Sequence, residues 1–296
     1  MVEIITTKVR WTTMQREDLR RLLISADESG YAIPAFNYSD IWDLLAIVEA
    51  AEEERAPVFI ASNPLVAREI SIELCGAIGK EVMGKASIPV AHHLDHSSSI
   101  ELCKSAIDCG YPSVMIDASK YDLSSNINMV REVVEYAHER NVFVEGELGR
   151  IKGKSVEGEF VDECYLIDVF DAVTFADTTE ADSLAVGIGT AHGLYEGKPE
   201  INFRRLAEVN EAVKIPLVLH GGTGIPEEDI KRAISNGINK INIGTIIHCT
   251  YMNGMLDELN RLGMNAYTLD VVKPVKEKIK SVVKHWIRVC MANGRV

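Results

Sequence analysis

Four of the eight histidines in this 296-residue chain fall at or just beyond the ends of short apolar runs. His93 and His96 lie in the string His93-Leu94-Asp95-His96, His192 in Thr190-Ala191-His192-Gly193, and His220 opens His220-Gly221-Gly222-Thr223-Gly224. Imidazole is the commonest zinc ligand, and three protein ligands with an open fourth position describe a catalytic zinc. His96, His192 and His220 follow three different runs, so they converge only if those runs end at one edge of a folded sheet. Asp95, Asp117 and Glu147 fall in comparable windows and supply groups that move a proton or hold a cation. His93 reads as a residue that orients a ligand rather than as a ligand. His92, His138, His248 and His285 lack this context. Two glycine-rich turns, Gly221-Gly222-Thr223 and Asn242-Ile243-Gly244-Thr245, offer backbone N–H groups and hydroxyls to an anion.

The elements that must position these residues are legible as periodicity. Eight apolar runs recur: Ala32–Phe36, Pro57–Ala61, Ile88–Leu94, Ser113–Ile116, Val142–Leu148, Ser183–Ile188, Ile215–Leu219 and Lys240–Ile243. They are apolar throughout rather than alternating, as strands buried on both faces are. Helical spacing fills the intervals, in Asp40–Glu54, Ser125–Arg140, Asn202–Val213 and Glu227–Asn236. Eight strands alternating with helices predict a single (β/α)8 TIM barrel, which fills about 250 residues and carries its chemistry at the C-terminal strand ends. A helix over Thr13–Ser25, broken at Asp27–Gly30, precedes the barrel at about 31–250, and a helical segment over 252–296 follows. A doubly wound sheet would place a glycine-rich turn after its first strand. Phe36-Asn37-Tyr38 stands there instead.

Composition narrows the function class. With 31 Lys and Arg against 44 Asp and Glu, the net charge is −13. No basic cluster suits nucleic acid or a membrane surface. No apolar run approaches the roughly 18 residues that span a bilayer, and Met1–Arg10 has no signal core. Six scattered cysteines read as reduced thiols of a cytoplasmic protein. An anionic substrate would need a locally positive site against this global field.

The motifs AHHLDH at 91–96, SVMIDAS at 113–119, VEGELGRI at 144–151, DSLAVGIGTAHGLY at 182–195, LVLHGGTGIP at 217–226 and KINIGT at 240–245 are collinear with those of one family. From about Gly30 to Thr245 the chain resembles the class II fructose-bisphosphate and tagatose-bisphosphate aldolases. The resemblance implies zinc on His96, His192 and His220, a second or alternative divalent position at Asp117 and Glu147, and Asp95 as the catalytic acid. It places dihydroxyacetone phosphate among Asn37, Gly193, Gly221, Gly222, Thr223, Asn242, Ile243, Gly244 and Thr245. A monovalent cation and a homodimer or homotetramer are further expectations, as is a phosphorylated sugar substrate. A Schiff-base mechanism would need a lysine at a strand end, and Lys240 lies at the start of its run.

Two departures bear on specificity. The family's catalytic glutamate in the loop after the fifth strand has no clear counterpart: Lys154 falls near its place and Glu157 is the candidate. The arginine that bisphosphate-specific members carry for the distal phosphate aligns with Lys273, which cannot make a bidentate fork. The expectation is therefore an aldolase requiring the phosphate beside dihydroxyacetone, with the distal phosphate optional. A metal-dependent sugar-phosphate isomerase or epimerase, and a non-catalytic sugar-phosphate-binding regulator, are the rival readings. A barrel hydrolase would carry His-x-His after the first strand, where Asn37-Tyr38-Ser39 stands.

Overall fold

A computed structural model describes residues 14–154, 160–161, 165–193, 197 and 199–296. The eight expected runs all become strands: β1 (Ile33–Asn37), β2 (Val58–Ser62), β3 (Val90–Ser97), β4 (Ser113–Ile116), β5 (Phe143–Leu148), then β8 (Ser183–Val186), β10 (Leu217–Leu219) and β11 (Ile238–Ile243). Between them lie three short strands, β6 (Lys152–Lys154), β7 (Phe160–Val161) and β9 (Ala191–His192). The long strands close into a parallel barrel in the order β1-β11-β10-β8-β5-β4-β3-β2, and β1 pairs with both β2 and β11. The fold is a (β/α)8 barrel, and every strand C-terminus points to one rim.

Register sorts the side chains. Met115 pairs with Glu145, Glu147 with Ala185, and Lys240 with Val218, so these residues share the inner face. Their sequence neighbours Val114, Val144, Val186, Leu217, Leu219 and Ile241 point outward into one continuous core with the surrounding helices. Inside the barrel, Met115, Ala185 and Val218 form a small apolar cluster of their own, and Ile33, which pairs with Lys240, and Phe59, whose ring faces the Lys240 ammonium, are apolar as well.

The helices differ from expectation at their ends. The first runs over Arg16–Glu28, because Asp18 reaches back to the Gln15 backbone and fixes the start there. The C-terminal segment is two helices, Thr245–Leu262 and Thr268–Val289, broken at Gly263 with φ of +81°. The second lies along the helix Ile41–Glu54 through Lys276–Glu49, Lys280–Glu53 and Arg288–Glu54 ion pairs. It therefore covers the barrel wall. No helix among the described residues is long and apolar enough to cross a membrane.

Candidate metal centre

The three histidines expected to meet do meet. Ligand-capable atoms of His96, His192 and His220 lie within 4.8 Å of one another, and those of His96, Asp117 and Glu147 form a second such group sharing His96. The three rings stand edge-on, with centroids 4.7 Å apart for His96–His192 and 4.5 Å for His96–His220.

Three local devices bring these side chains together. His96 follows Asp95 directly, and a regular strand would send the two to opposite faces. The pairing of β3 with β4 instead shifts register between Leu94 and Ser97, and His96 takes φ of +52°. This bulge turns His96 inward beside Asp95, in a left-handed conformation that histidine adopts more readily than most residues. His192 is held by β9, which pairs in parallel with β6 of the loop after β5. His220 stands at the end of β10, where Gly221 takes φ of +69° and its backbone closes on Ala191.

Each acidic group then has a definite environment. Asp95 accepts from Asn37 Nδ2 at 2.7 Å and from Asn242 Nδ2 at 2.9 Å, which fixes its carboxylate plane. Burial pushes its carboxyl upward, but His96, His220, Lys240 and the Asn37 bond outweigh this and hold it below the ordinary value. His96 Nδ1 lies 3.0 Å from Asp117 Oδ2 and 3.8 Å from Glu147 Oε2. Burial opposes charge on His96, yet Asp95, Asp117 and Glu147 together raise its pKa to about 10. Burial, with Asp117 adding, lifts the Glu147 carboxyl well above its usual range, while burial, with the neighbouring His96 charge adding, pushes His192 down to about 3. Without a metal, protons are therefore favoured on His96 and Glu147 and disfavoured on His192 and His220. Glu147 Oε2 and His192 Nε2 are buried with no hydrogen-bond partner. Such orphaned atoms are costly unless a cation satisfies them.

A cleft of about 300 Å3 opens over the cluster. Asn37, Gly193, Gly221, Thr223, Asn242, Gly244 and Thr245, all expected around the substrate, line it. Gly222 and Ile243 are buried just behind, where the Gly222 N–H donates to the Asn242 carbonyl at 3.0 Å. The 18-residue helix starting at Thr245 aims its N-terminus into the cleft, and Ile246 N–H donates to Thr223 Oγ1 at 3.3 Å. Tyr38, Ser39, Asn63 and His248 also line it, and sequence reasoning passed over all four. His248 lacked a strand-end position, and only its place in the first turn of that helix would have revealed it. Among the described residues no lysine or arginine lines the cleft. Lys273 is exposed on the helix Thr268–Val289 and is not part of the lining, and Glu157 lies outside the described residues. His93 is fully buried, with Nδ1 2.7 Å from Ser113 Oγ, and is in neither ligand group.

Comparison with known proteins points the same way. A sequence model of the class-II fructose-bisphosphate aldolase family matches residues 17–295. A fructose-bisphosphate aldolase of Staphylococcus epidermidis is 38% identical over 275 residues, covering 91% of this chain and 95% of that one. The crystal structure of the YdjI aldolase from Escherichia coli K12 superposes with a TM-score of 0.84 at 33% identity, covering 94% of this chain and 98% of that one. The fructose-bisphosphate aldolase structure from Campylobacter jejuni, at 20% identity, shares the fold with a TM-score of 0.83 over 96% of this chain and 97% of its own.

Proposed function

The chain belongs to the class II fructose-bisphosphate aldolase family and is an aldolase, a carbon–carbon lyase, and from that premise we propose that it is metal-dependent and cleaves a ketose 1-phosphate or 1,6-bisphosphate to dihydroxyacetone phosphate and an aldehyde. The observation that carries this reading is the convergence of His96, His192 and His220 beside an aspartate clamped by two asparagines.

The residues present fit a divalent cation. Three imidazoles suit zinc in particular, and the orphaned His192 Nε2 and Glu147 Oε2 give it unsatisfied donors. His96, His192 and His220 would hold it, and Asp117 and Glu147 with His96 provide a second position. Bound there, the metal would supply Lewis-acid polarisation of the sugar carbonyl.

The chain's own groups account for the remaining tasks. Asn37 and Asn242 donate to Asp95 and leave its carboxylate ionised at the floor of the cleft, aimed to take the proton of the C4 hydroxyl in cleavage and return it in synthesis. Gly193, Gly221, Thr223, Gly244 and Thr245 offer backbone N–H groups, hydroxyls and a helix N-terminus to the phosphate beside the carbonyl. That handle positions the reacting carbon. It also meets the demand for local positive potential in a chain of net charge −13 without using a basic side chain.

Among the described residues the cleft offers Asn63 and His248 and no arginine fork, which supports a substrate whose distal phosphate is optional. The decisive assay is release of dihydroxyacetone phosphate from ketose 1-phosphates and from fructose and tagatose 1,6-bisphosphates, before and after EDTA. Release abolished by EDTA and restored by zinc is expected with both substrate types. Absolute dependence on two phosphates would overturn the substrate reading. Zinc-independent release would overturn the metal reading, and conversion of a sugar phosphate without dihydroxyacetone phosphate would favour an isomerase. We further place the protein in the cytoplasm as a homodimer or homotetramer, the latter open to light scattering on the purified protein.

A further inference from the structure

The inner face of a (β/α)8 barrel is ordinarily packed with branched aliphatic side chains. Here two of those places, one turn of the barrel below the histidines, are taken by Glu145 on β5 and Lys240 on β11, both fully buried. Lys240 Nζ donates to Glu145 Oε2 at 2.8 Å, and its ammonium lies 5.4 Å from the centre of the Phe59 ring. The other carboxylate oxygen, Glu145 Oε1, lies 2.8 Å from His220 Nε2. The opposite ring nitrogen, His220 Nδ1, faces the cluster, 2.7 Å from His96 Nε2.

A buried ion pair is weak support for stability, since desolvation offsets most of its attraction. Replacing such a pair by apolar residues of similar volume is often neutral or stabilising. The fold therefore gives no reason of its own for this pair in a place where valine or leucine would serve. The hydrogen-bond pattern gives one. A carboxylate only accepts, so His220 must carry its proton on Nε2, and the lone pair is left on Nδ1. Lys240, occupying the second oxygen, keeps Glu145 from turning toward the cluster.

We propose that Lys240 and Glu145 are positioning residues that act through His220: Glu145 fixes the tautomer and tilt of this ring so that Nδ1 is the metal-binding nitrogen, and Lys240 locks Glu145 in that role. The proposal rests on the metal reading given above. Partners of this kind change metal affinity by about 10- to 100-fold when removed.

Two neutral double variants separate positioning from packing. Glu145→Gln/Lys240→Met keeps an acceptor opposite His220 Nε2, and Glu145→Leu/Lys240→Met removes it. Zinc affinity is read by competition with a chromophoric chelator and folding stability by urea titration of the metal-free protein. The expected order is wild type first, the Gln/Met variant second and the Leu/Met variant lower than wild type by about 10- to 100-fold, with stability of the Leu/Met variant equal or raised. A Leu/Met variant that folds and binds zinc as wild type does would overturn the proposal, as would a loss of stability with unchanged zinc affinity. Nitrogen-15 histidine spectra of the metal-free wild-type protein decide the matter even if neither variant folds. A proton on Nε2 of His220 is expected, and a proton on Nδ1 alone would refute it. A wild-type protein that binds no zinc would sink the metal reading instead, a result distinct from a variant that binds as well as wild type.

Discussion

Gly221→Ala tests whether the site depends on one close backbone approach. Gly221 sits between ligand candidate His220 and the phosphate-side turn, with φ of +69°. An added Cβ would lie 2.8 Å from the Ala191 carbonyl carbon, where ordinary carbon contacts need about 3.5–4.0 Å, a shortfall of roughly 0.7–1.2 Å. The left-handed backbone adds about 1–2 kcal/mol for any residue with a Cβ. Ala191 directly precedes His192, so the displacement reaches two of the three imidazoles. Misplacement on the scale of 1 Å costs about 100-fold in rate, and Gly221→Ala is expected to lose roughly that factor in kcat/KM together with zinc affinity. Gly193→Ala is the control. Gly193 also has positive φ, +93°, but its added Cβ would meet nothing within 4 Å. It should cost stability, about 1–3 kcal/mol, and leave zinc affinity within a few fold. Zinc competition and steady-state kinetics on both variants provide the measurement. Equal zinc affinity in Gly221→Ala and wild type, or equal loss in the two variants, would refute the close-approach argument.

Other perturbations read other parts of the site. Asp95→Ala should lower kcat by about 100- to 10,000-fold while metal content, measured on the purified protein, stays near that of wild type; turnover within tenfold of wild type would remove Asp95 from the proton path. With no lysine or arginine among the described residues lining the cleft, removal of zinc should weaken dihydroxyacetone phosphate binding by at least tenfold in calorimetry, and unchanged affinity would show that the anion is held without help from the metal. Lys273→Ala should leave kcat/KM for a ketose 1-phosphate within twofold, and a large loss would bring Lys273 into the site. Burial pushes His92 down to about 3, below the roughly 6.5 of the unfolded chain. The unfolded state thus binds the proton first, and stability is full above pH 6.5 and drains as pH falls toward 3. Two pH units at about 1.36 kcal/mol each make the share lost by pH 4.5 about 3 kcal/mol. Urea titrations of metal-free wild type and His92→Phe at pH 7 and 4.5 should differ by that amount, and parallel losses would refute it.

The barrel was legible because its strands are short apolar runs of nearly the right bounds, such as Ser113–Ile116, which is β4 unchanged. The convergence of His96, His192 and His220 was legible because strand ends are where a barrel gathers chemistry. The means of gathering them were not. Period-two reasoning puts Asp95 and His96 on opposite faces, and only the bulge at His96, invisible in the letters, turns both inward. Glu145, two residues before Glu147 in its run, and Lys240, at the start of its own, carry no local sign of each other. Their pairing across the barrel depends on the stagger of strands 95 residues apart, which local pattern does not contain. The break at Gly263 did carry a local sign, a glycine after an apolar helix end, yet the long helical pattern on both sides masked it. His248 shows the opposite limit, since its cleft position follows from helix phase alone.

The separation of the two faces of the barrel wall explains how such a polar interior is tolerated. The outward face of every barrel strand packs apolar residues against helices, as Ile60, Val114, Val144, Leu184, Leu219 and Ile243 do in a single continuous core. The inward face holds His93, Glu145, Glu147, Lys240 and Asn242, with apolar residues such as Ile33, Phe59, Met115, Ala185 and Val218 among them. Folding stability is therefore drawn from the strand–helix layer, where apolar burial contributes about 25 cal/mol per Å2. The interior is left to be set by chemistry, and its orphaned atoms at Glu147 and His192 are a cost that a bound metal would relieve. A ligand that binds only the folded state stabilises it by mass action. It follows that zinc should raise the unfolding midpoint of this protein, and that substitutions confined to the inner face should alter this zinc-dependent increment more than the stability of the metal-free barrel.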